Sequence, residues 1–302
     1  MVTILRPLST SELLDRTFHL YRNNFLVFVG IAAIPQVFVL PLMLGGAAMT
    51  ARREVATSIA LILSGYLLFY LATFIAQATT VHAVSCVYTE KPVGLGIAYS
   101  AARKSFLRLI WILFLLFLVI VVLFGVTGGL IAAAVAGLSA VASRPLGIRA
   151  AILLASAALV LYLRLLLNWS LVVPATVLEG GWFRTSIRRS KSLAEGRRWR
   201  ILVVYLLVIG LTMVISFVVQ MLLMFAIMLF HIRDPLRIQA ALQVVQAIGL
   251  FISSSLFGSI ATIALTLIYY DERVRKEGFD MQLMMAGLQG GQQAAAAGSP
   301  TV

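Results

Sequence analysis

Few residues in this chain could do chemistry, and their spacing limits what that chemistry could be. The histidines are His19, His82 and His231, and none belongs to a cluster with the spacing of a metal site. Asp234 follows His231 by three positions, but no nucleophile accompanies the pair. His82 falls inside an apolar run and is expected to hydrogen-bond within a helix bundle. Ser253, Ser254 and Ser255 read as small packing residues before they read as nucleophiles. Gly94-Leu95-Gly96 lacks the third glycine of a dinucleotide loop. Cys86, the single cysteine, cannot close an internal disulfide and reads as a buried, inert thiol. No catalytic constellation emerges, so the expectation is a protein that is not an enzyme and takes no cofactor.

Arginine is the remaining candidate for a site. Arg164 lies 15 residues from both Arg149 and Glu179, about 22 Å of helix in each direction. An arginine near a bilayer centre costs about 2.5–3.5 kcal/mol on insertion scales, so it needs a partner. No acidic residue falls inside any apolar run. A lipid phosphate or bound anion could serve, with Asn168 one turn later on the same face and Gln77, Gln220, Gln243 and Gln246 from other helices. A snorkelling or internally bonded arginine that fixes the bundle is the alternative. A second candidate set, Arg103, Lys104, Arg184, Arg188 and Arg189, lies outside the apolar runs and could bind anionic lipid headgroups.

The elements that must position these residues are long and apolar. Of 302 residues, 61% are hydrophobic and 12% charged, where soluble domains carry about 25%. Six runs exceed the roughly 20 residues that cross a bilayer as helix. They are Phe25–Met49, Thr57–Tyr88, Leu107–Ala142, Ala150–Leu178, Ile201–Phe230 and Leu236–Tyr270. Pro35, Pro41 and Pro174 lie inside runs and each removes one backbone donor.

Basic amphipathic segments, Ser11–Asn24, Gly94–Ser105 and Gly181–Arg200, precede the first, third and fifth runs. Ser9 and Glu12 have capping-box spacing ahead of the first, and Leu14, Phe18, Tyr21 and Phe25 then form a helical stripe. Leu95, Ala98, Ala102, Phe106 and Leu109 repeat it in the second. Phe183, Ile187, Ser190 and Ala194 do so weakly in the third. Each segment reads as a helix lying in the membrane interface, apolar stripe inward and basic side chains on phosphate. Seventeen Lys and Arg flank the runs on the side of the two termini, against six on the other. That bias places both termini in the cytoplasm. The net charge is +13. Membrane topology and anionic lipid account for it, and no nucleic-acid partner is expected.

Three motifs resemble a known family. They are Leu5-Arg6-Pro7-Leu8 through Glu12-Leu13-Leu14-Asp15 and Leu20-Tyr21-Arg22-Asn23-Asn24-Phe25, then Pro174-Ala175-Thr176-Val177-Leu178-Glu179-Gly180, then Tyr269-Tyr270-Asp271-Glu272-Arg273-Val274-Arg275-Lys276-Glu277-Gly278-Phe279-Asp280. The chain resembles the membrane-domain family of glycerophosphoryl diester phosphodiesterase, multi-pass bacterial proteins mostly of unassigned function. The resemblance implies a bacterial cytoplasmic-membrane protein. It does not carry the phosphodiesterase activity, because no loop holds the soluble barrel that performs it.

The expected fold is an all-α integral membrane bundle of six transmembrane helices in three hairpins, each preceded by a basic interfacial amphipathic helix. Its modules run about 9–90, 91–178 and 179–280, with 281–302 a disordered cytoplasmic tail. Gly125, Gly129, Ala133 and Gly137 form a small-residue ridge expected to pack inside the bundle, or to pair two copies. Ser254, Gly258 and Thr262 form a shorter one. The expected function is a lipid-headgroup-binding scaffold or partner-binding subunit. A carrier of an anionic or lipid-derived solute, using Arg164, is the alternative.

Overall fold

The computed structural model of the chain describes residues 8–88, 93–141, 144–228 and 234–278. The tail 281–302, Lys91, His231 and the side chain of Lys104 lie outside the described residues. Among those described, there is no strand.

The first helix, α1 (Thr10–Asn23), starts at the capping box: the Glu12 amide donates to Ser9 Oγ at 3.3 Å, and the Ser9 amide donates to Glu12 Oε2 at 2.8 Å. Its buried face is Leu13, Thr17, Leu20 and Tyr21. Of the stripe expected to enter the acyl boundary, Tyr21 is buried against the bundle while Phe18 and Phe25 are exposed. Thr17 can join the buried face because its hydroxyl donates to the Leu13 carbonyl at 2.8 Å. The hydroxyl then leaves nothing for water to satisfy.

Asn24 separates α1 from α2 (Phe25–Val37), and α3 (Leu40–Ala51) follows at a bend of 43°. Pro35 in α2 cannot donate to the Ile31 carbonyl, and the Tyr99 hydroxyl takes that place at 2.8 Å. A tight turn with Arg53 at φ 66° leads into α4 (Val55–Tyr88).

The second basic segment is not a separate helix. It is continuous with α5 (Leu95–Val141), an uninterrupted helix of 47 residues. The continuity has a visible cause. Ala98, Ala102, Ser105, Leu109, Ile112 and Leu116 are buried in one unbroken four-three stripe, with no glycine, proline or asparagine between them. That is the spacing of a single helix face.

After α6 (Arg144–Trp169) the chain breaks at Ser170-Leu171 before α7 (Val172–Glu179). Gly180 at φ 68° ends α7, and α8 (Phe183–Ala194) is the third basic segment. Gly196 at φ 82° then releases the chain into α9 (Arg198–Met228). The last helix is α10 (Pro235–Glu277), with Asp234 as its N-cap and Pro235 in its first turn. Gly278 closes it at φ 59°.

Five helical segments are long and apolar enough to cross a membrane, and the bent pair α2–α3 would make a sixth. Their outer faces carry many exposed Leu, Ile, Val and Phe side chains, notably on α5, α6 and α9. Soluble monomers rarely expose apolar patches beyond a few hundred Å². These helices therefore suggest a membrane protein. In the most apolar stretch of α10, 44% of residues are buried, against 6% in the most apolar stretch of α6–α7. Thus α10 is the central helix, packed on α2, α3, α4 and α9, with α1, α7 and α8 against its last turns. The main core gathers there, around Leu13, Leu20, Phe28, Leu171, Leu193, Ile263, Leu267 and Tyr269.

The small-residue ridge of α5 does not pack inside the bundle. A Cβ built on Gly125, Gly129 or Gly137 would meet nothing within 4 Å. The short ridge on α10 behaves differently, because Ser254, Gly258 and Thr262 line an internal cavity.

Candidate functional site

Charge concentrates at the end of the bundle where α1 begins and α10 ends. Asp271, 3% exposed, is the hub of its first half. It accepts from the Leu8 amide at 2.7 Å, from Arg275 Nε at 2.9 Å and from Arg200 Nη1. Both arginines also donate to the Leu8 carbonyl, Arg200 at 2.7 Å and Arg275 at 2.5 Å. A closed ring thus ties the start of the chain to α9 and α10. Beside it Glu272 is wholly buried, and neither carboxylate oxygen accepts a hydrogen bond. Its cations stand further off, Arg200 at 3.5 Å and Arg197 at 3.9 Å.

The second half of the charged end fastens α8. Arg189 Nε donates to both Glu179 oxygens at 2.9 Å, and its Nη2 donates to Glu277 at 2.7 Å. The Glu277 bond pushes the Arg189 guanidinium pKa up against the opposing effect of burial, and Glu179 adds to the rise. Tyr269 donates its hydroxyl to Glu179. Lys276 Nζ donates to the Ser192 carbonyl at 2.7 Å, to Leu193 at 2.8 Å and to Glu195 at 2.7 Å. It thereby caps the C-terminus of α8, where carbonyls lack helical partners. Ser190 repairs the α6–α7 break, donating to the Asn168 carbonyl at 2.6 Å and accepting from the Leu171 amide at 3.2 Å. Arg108 donates to the Gly180 carbonyl and lies over the Trp182 ring at 5.7 Å.

These contacts divide the residues expected to bind headgroups. Arg189 points inward and is consumed by the clamp. Arg184 and Arg188 are exposed and form no ion pair among the described residues, and the same holds for Lys191 and for Arg103. Position decides the outcome, since Arg188 and Arg189 are adjacent and about 100° apart around the helix. The apolar faces of the basic segments also differ from expectation. Phe183 and Ile187 pack on Ile112, Leu116 and Val172, not into lipid. Helix α8 is therefore sealed to the bundle by the face expected to enter the acyl boundary, whereas in α1 Phe18 and Phe25 of that face stay exposed.

Arg164 sits exposed on the flank of α6 with no polar partner among the described residues. Asn168 is half-buried, and its Oδ1 has no hydrogen-bond partner. The glutamines do not gather around Arg164. Gln243 accepts from Thr50 at 2.9 Å and Gln246 donates to Tyr66 at 3.2 Å. Gln220 lies over Gly249 of α10, and Gln77 lines the cavity between α2, α4 and α10. Among the histidines, His19 pairs with Asn23 at 2.9 Å. His82 does not gain the expected bond at Nε2, which is buried without a partner. Among the described residues, no group of three or more His, Cys, Asp or Glu could hold a metal ion.

A polar seam, carrying no charge, runs up α10 from the charged end. Gln36, Thr73, Gln77, Thr80, Ser254, Ser259 and Thr262 surround a cavity of about 30 Å³ beside the α2–α3 break. A smaller cavity of about 10 Å³ shares Gln36, and another of about 30 Å³ lies beyond it between Tyr66, Gln243 and Gln246. Amphipathic periodicity could not reveal this seam, because single hydroxyls scattered in apolar runs read as packing residues.

An all-α bundle of this kind, with one clamped charged end and membrane-length helices, defines the class of protein. Residues 47–285 match a family described as a domain of unknown function (DUF8558), and the chain belongs to that family. No protein of curated function and no solved structure matches it.

Proposed function

We propose that the chain is a non-enzymatic scaffold or partner-binding subunit of the bacterial cytoplasmic membrane, recognising anionic lipid headgroups through the outer face of α8. In this reading it spans the membrane six times as three hairpins, α2–α3 with α4, α5 with α6–α7, and α9 with α10. Both termini lie in the cytoplasm. The excess of Lys and Arg on the side of the termini supports the orientation, and the side-by-side packing of each pair supports the hairpins. The resemblance to the membrane-domain family of glycerophosphoryl diester phosphodiesterase belongs with this proposal. Its first motif, residues 5–25, precedes the residues that define the family match.

One observation carries the reading. Arg184, Arg188 and Lys191 stand on the face of α8 that the clamp turns outward. Their intervals of four and three make them neighbours on one helical surface. They have no protein partner among the described residues. Trp182 and Trp199, both well exposed, flank them as interfacial aromatics do. The rotation of α8 is held by Arg189, Ser190 and Lys276, so the three cations are presented on a rigid surface instead of a flexible loop. Each basic residue at an anionic surface contributes about 1 kcal/mol, so the three contribute on the order of 3 kcal/mol.

The test compares unfolding midpoints in nanodiscs of phosphatidylcholine with and without phosphatidylglycerol. The wild type is expected to rise with the anionic lipid, and the R184E/R188E/K191E variant to lose that rise. An equal rise in both proteins would overturn the proposal.

A further inference from the structure

We propose that the cavity between α2, α4 and α10 binds a small monovalent cation of the size of Na+. The argument begins with where the hydroxyl protons go. Thr73 donates its proton to the Phe69 carbonyl at 2.9 Å, Ser259 to the Phe28 carbonyl at 3.1 Å, and Ser254 to the Phe251 carbonyl at 3.3 Å. Each bond spends a donor on the backbone and leaves oxygen lone pairs as the remaining polar capacity. Gln36 donates one amide hydrogen to Thr73 at 3.4 Å, and no hydrogen bond occupies its side-chain oxygen among the described residues. The lining thus gathers the oxygens of two glutamine amides and five hydroxyls around one cavity, the ligand type that a small hard cation takes from a protein.

Thr80 supplies an independent observation. It is 1% exposed, and its Oγ1 has no hydrogen-bond partner although it lines the same cavity. A buried hydroxyl without a partner is destabilising. A bound ion that takes its lone pair removes that cost.

The backbone adds field of the same sign. The cavity touches Gln36 in the last turn of α2, where the chain breaks before α3. Carbonyls at a helix C-terminus carry partial negative charge, and broken helices inside membrane bundles use such ends to hold cations. The cavity, about 30 Å³ and partly open beside the exposed Gly258, has room for an ion held by protein oxygens and by a remaining water. No carboxylate lines it, which disfavours Ca2+ and Mg2+, whose sites rely on carboxylates. Two further cavities, the smaller sharing Gln36 with this one and the larger reaching Gln243, lie towards the end of the bundle opposite the charged clamp.

The experiment uses the purified full chain and titrates NaCl against choline chloride at constant ionic strength, with a KCl arm, while recording the thermal midpoint. The wild type is expected to show a saturable rise with Na+. Thr80→Val is expected to shift the Na+ concentration for half-maximal rise by about tenfold, the effect of one weakened ligand. Its midpoint in choline should be at or above that of the wild type, because an unpaired buried hydroxyl has gone. Thr80→Ser keeps the oxygen and should keep the wild-type response. A wild-type midpoint that is the same in Na+ and choline overturns the proposal and leaves the cavity to water. So does a rise that K+ and choline reproduce equally, or a Thr80→Val response identical to the wild type.

Discussion

Replacing Asp271 with alanine should loosen the start of the chain from the bundle. In the native protein this carboxylate satisfies the Leu8 amide, Arg275 Nε and Arg200 at once, while almost fully buried. Removing it strands two guanidinium groups and one buried amide. Breaking a buried charge pair costs about 3–5 kcal/mol, and an orphaned buried donor adds about 1–3 kcal/mol. Two features reduce the sum. Both arginines keep the Leu8 carbonyl as acceptor, and Arg200 already lies 3.5 Å from Glu272, which it can approach more closely. The expected net loss is therefore about 3–4 kcal/mol, a large share of the roughly 5–15 kcal/mol that holds a typical domain folded.

Asp271→Asn tests the acceptor role of Oδ2. The oxygen that accepts from Leu8 survives in it, but the atom that accepts from Arg200 and Arg275 becomes an NH2 donor facing two donors, so a loss close to that of alanine is expected. Denaturant unfolding in mild detergent, followed by tryptophan fluorescence, would give both values. Limited proteolysis ahead of α1 would report release of the strap directly. If Asp271→Ala lies within about 0.5 kcal/mol of the wild type, the range of an ordinary surface change, the ring does not hold the strap. If the asparagine variant is as stable as the wild type, the two arginines do not depend on Oδ2 as acceptor.

Two further perturbations follow from the same packing. Glu272 is a wholly buried charge whose oxygens accept no hydrogen bond. Glu272→Gln removes that charge and should be neutral or stabilising by about 1–2 kcal/mol in the same unfolding assay. A marked loss of stability instead would mean that its long contacts with Arg200 and Arg197 outweigh desolvation. In Gly46→Ala the new Cβ would lie 2.6 Å from Ile62 Cγ1 and 3.3 Å from the Ser58 carbonyl oxygen. That overpacking should cost about 1–3 kcal/mol. Gly129→Ala meets nothing within 4 Å. It should be neutral or gain up to about 1 kcal/mol from helix propensity. Equal costs for the two glycine changes, read as shifts in thermal midpoint, would show that α3 and α4 are not in close contact at Gly46.

Much of the helical architecture is legible in advance from apolar length, and the capping box at Ser9 locates the start of α1 correctly. What sequence cannot supply is the direction in which each side chain points once helices pack. The residues Leu8 and Asp271 are 263 positions apart, and no local pattern joins them. The chemical identity of Arg188 and Arg189 is the same, yet one faces out and the other closes the clamp on Glu179 and Glu277. Periodicity joins Phe18 and Tyr21 in one stripe, yet Tyr21 is buried and Phe18 exposed, and the bundle side of α1 includes Thr17, whose hydroxyl donates to the Leu13 carbonyl. The ridge from Gly125 to Gly137 has the spacing of a helix interface and faces nothing, because small residues permit close approach without requiring it. Arg164 stands out as an arginine in an apolar run, and it lies on the flank of α6, away from the bundle's polar groups.

The arrangement along α10 connects the two sites proposed here. From Gln243 to Thr262 the helix offers amides and hydroxyls to α2, α3 and α4, and from Asp271 to Glu277 it offers charge to the start of the chain and to α8. Between these stretches Ile263, Leu267 and Ile268 are buried in the main core. A close-packed segment of this kind transmits displacement, since packed cores shift as units. Any effect of a cation on the headgroup-binding face would have to travel as movement of α10, felt at α8 through Arg189 and Lys276.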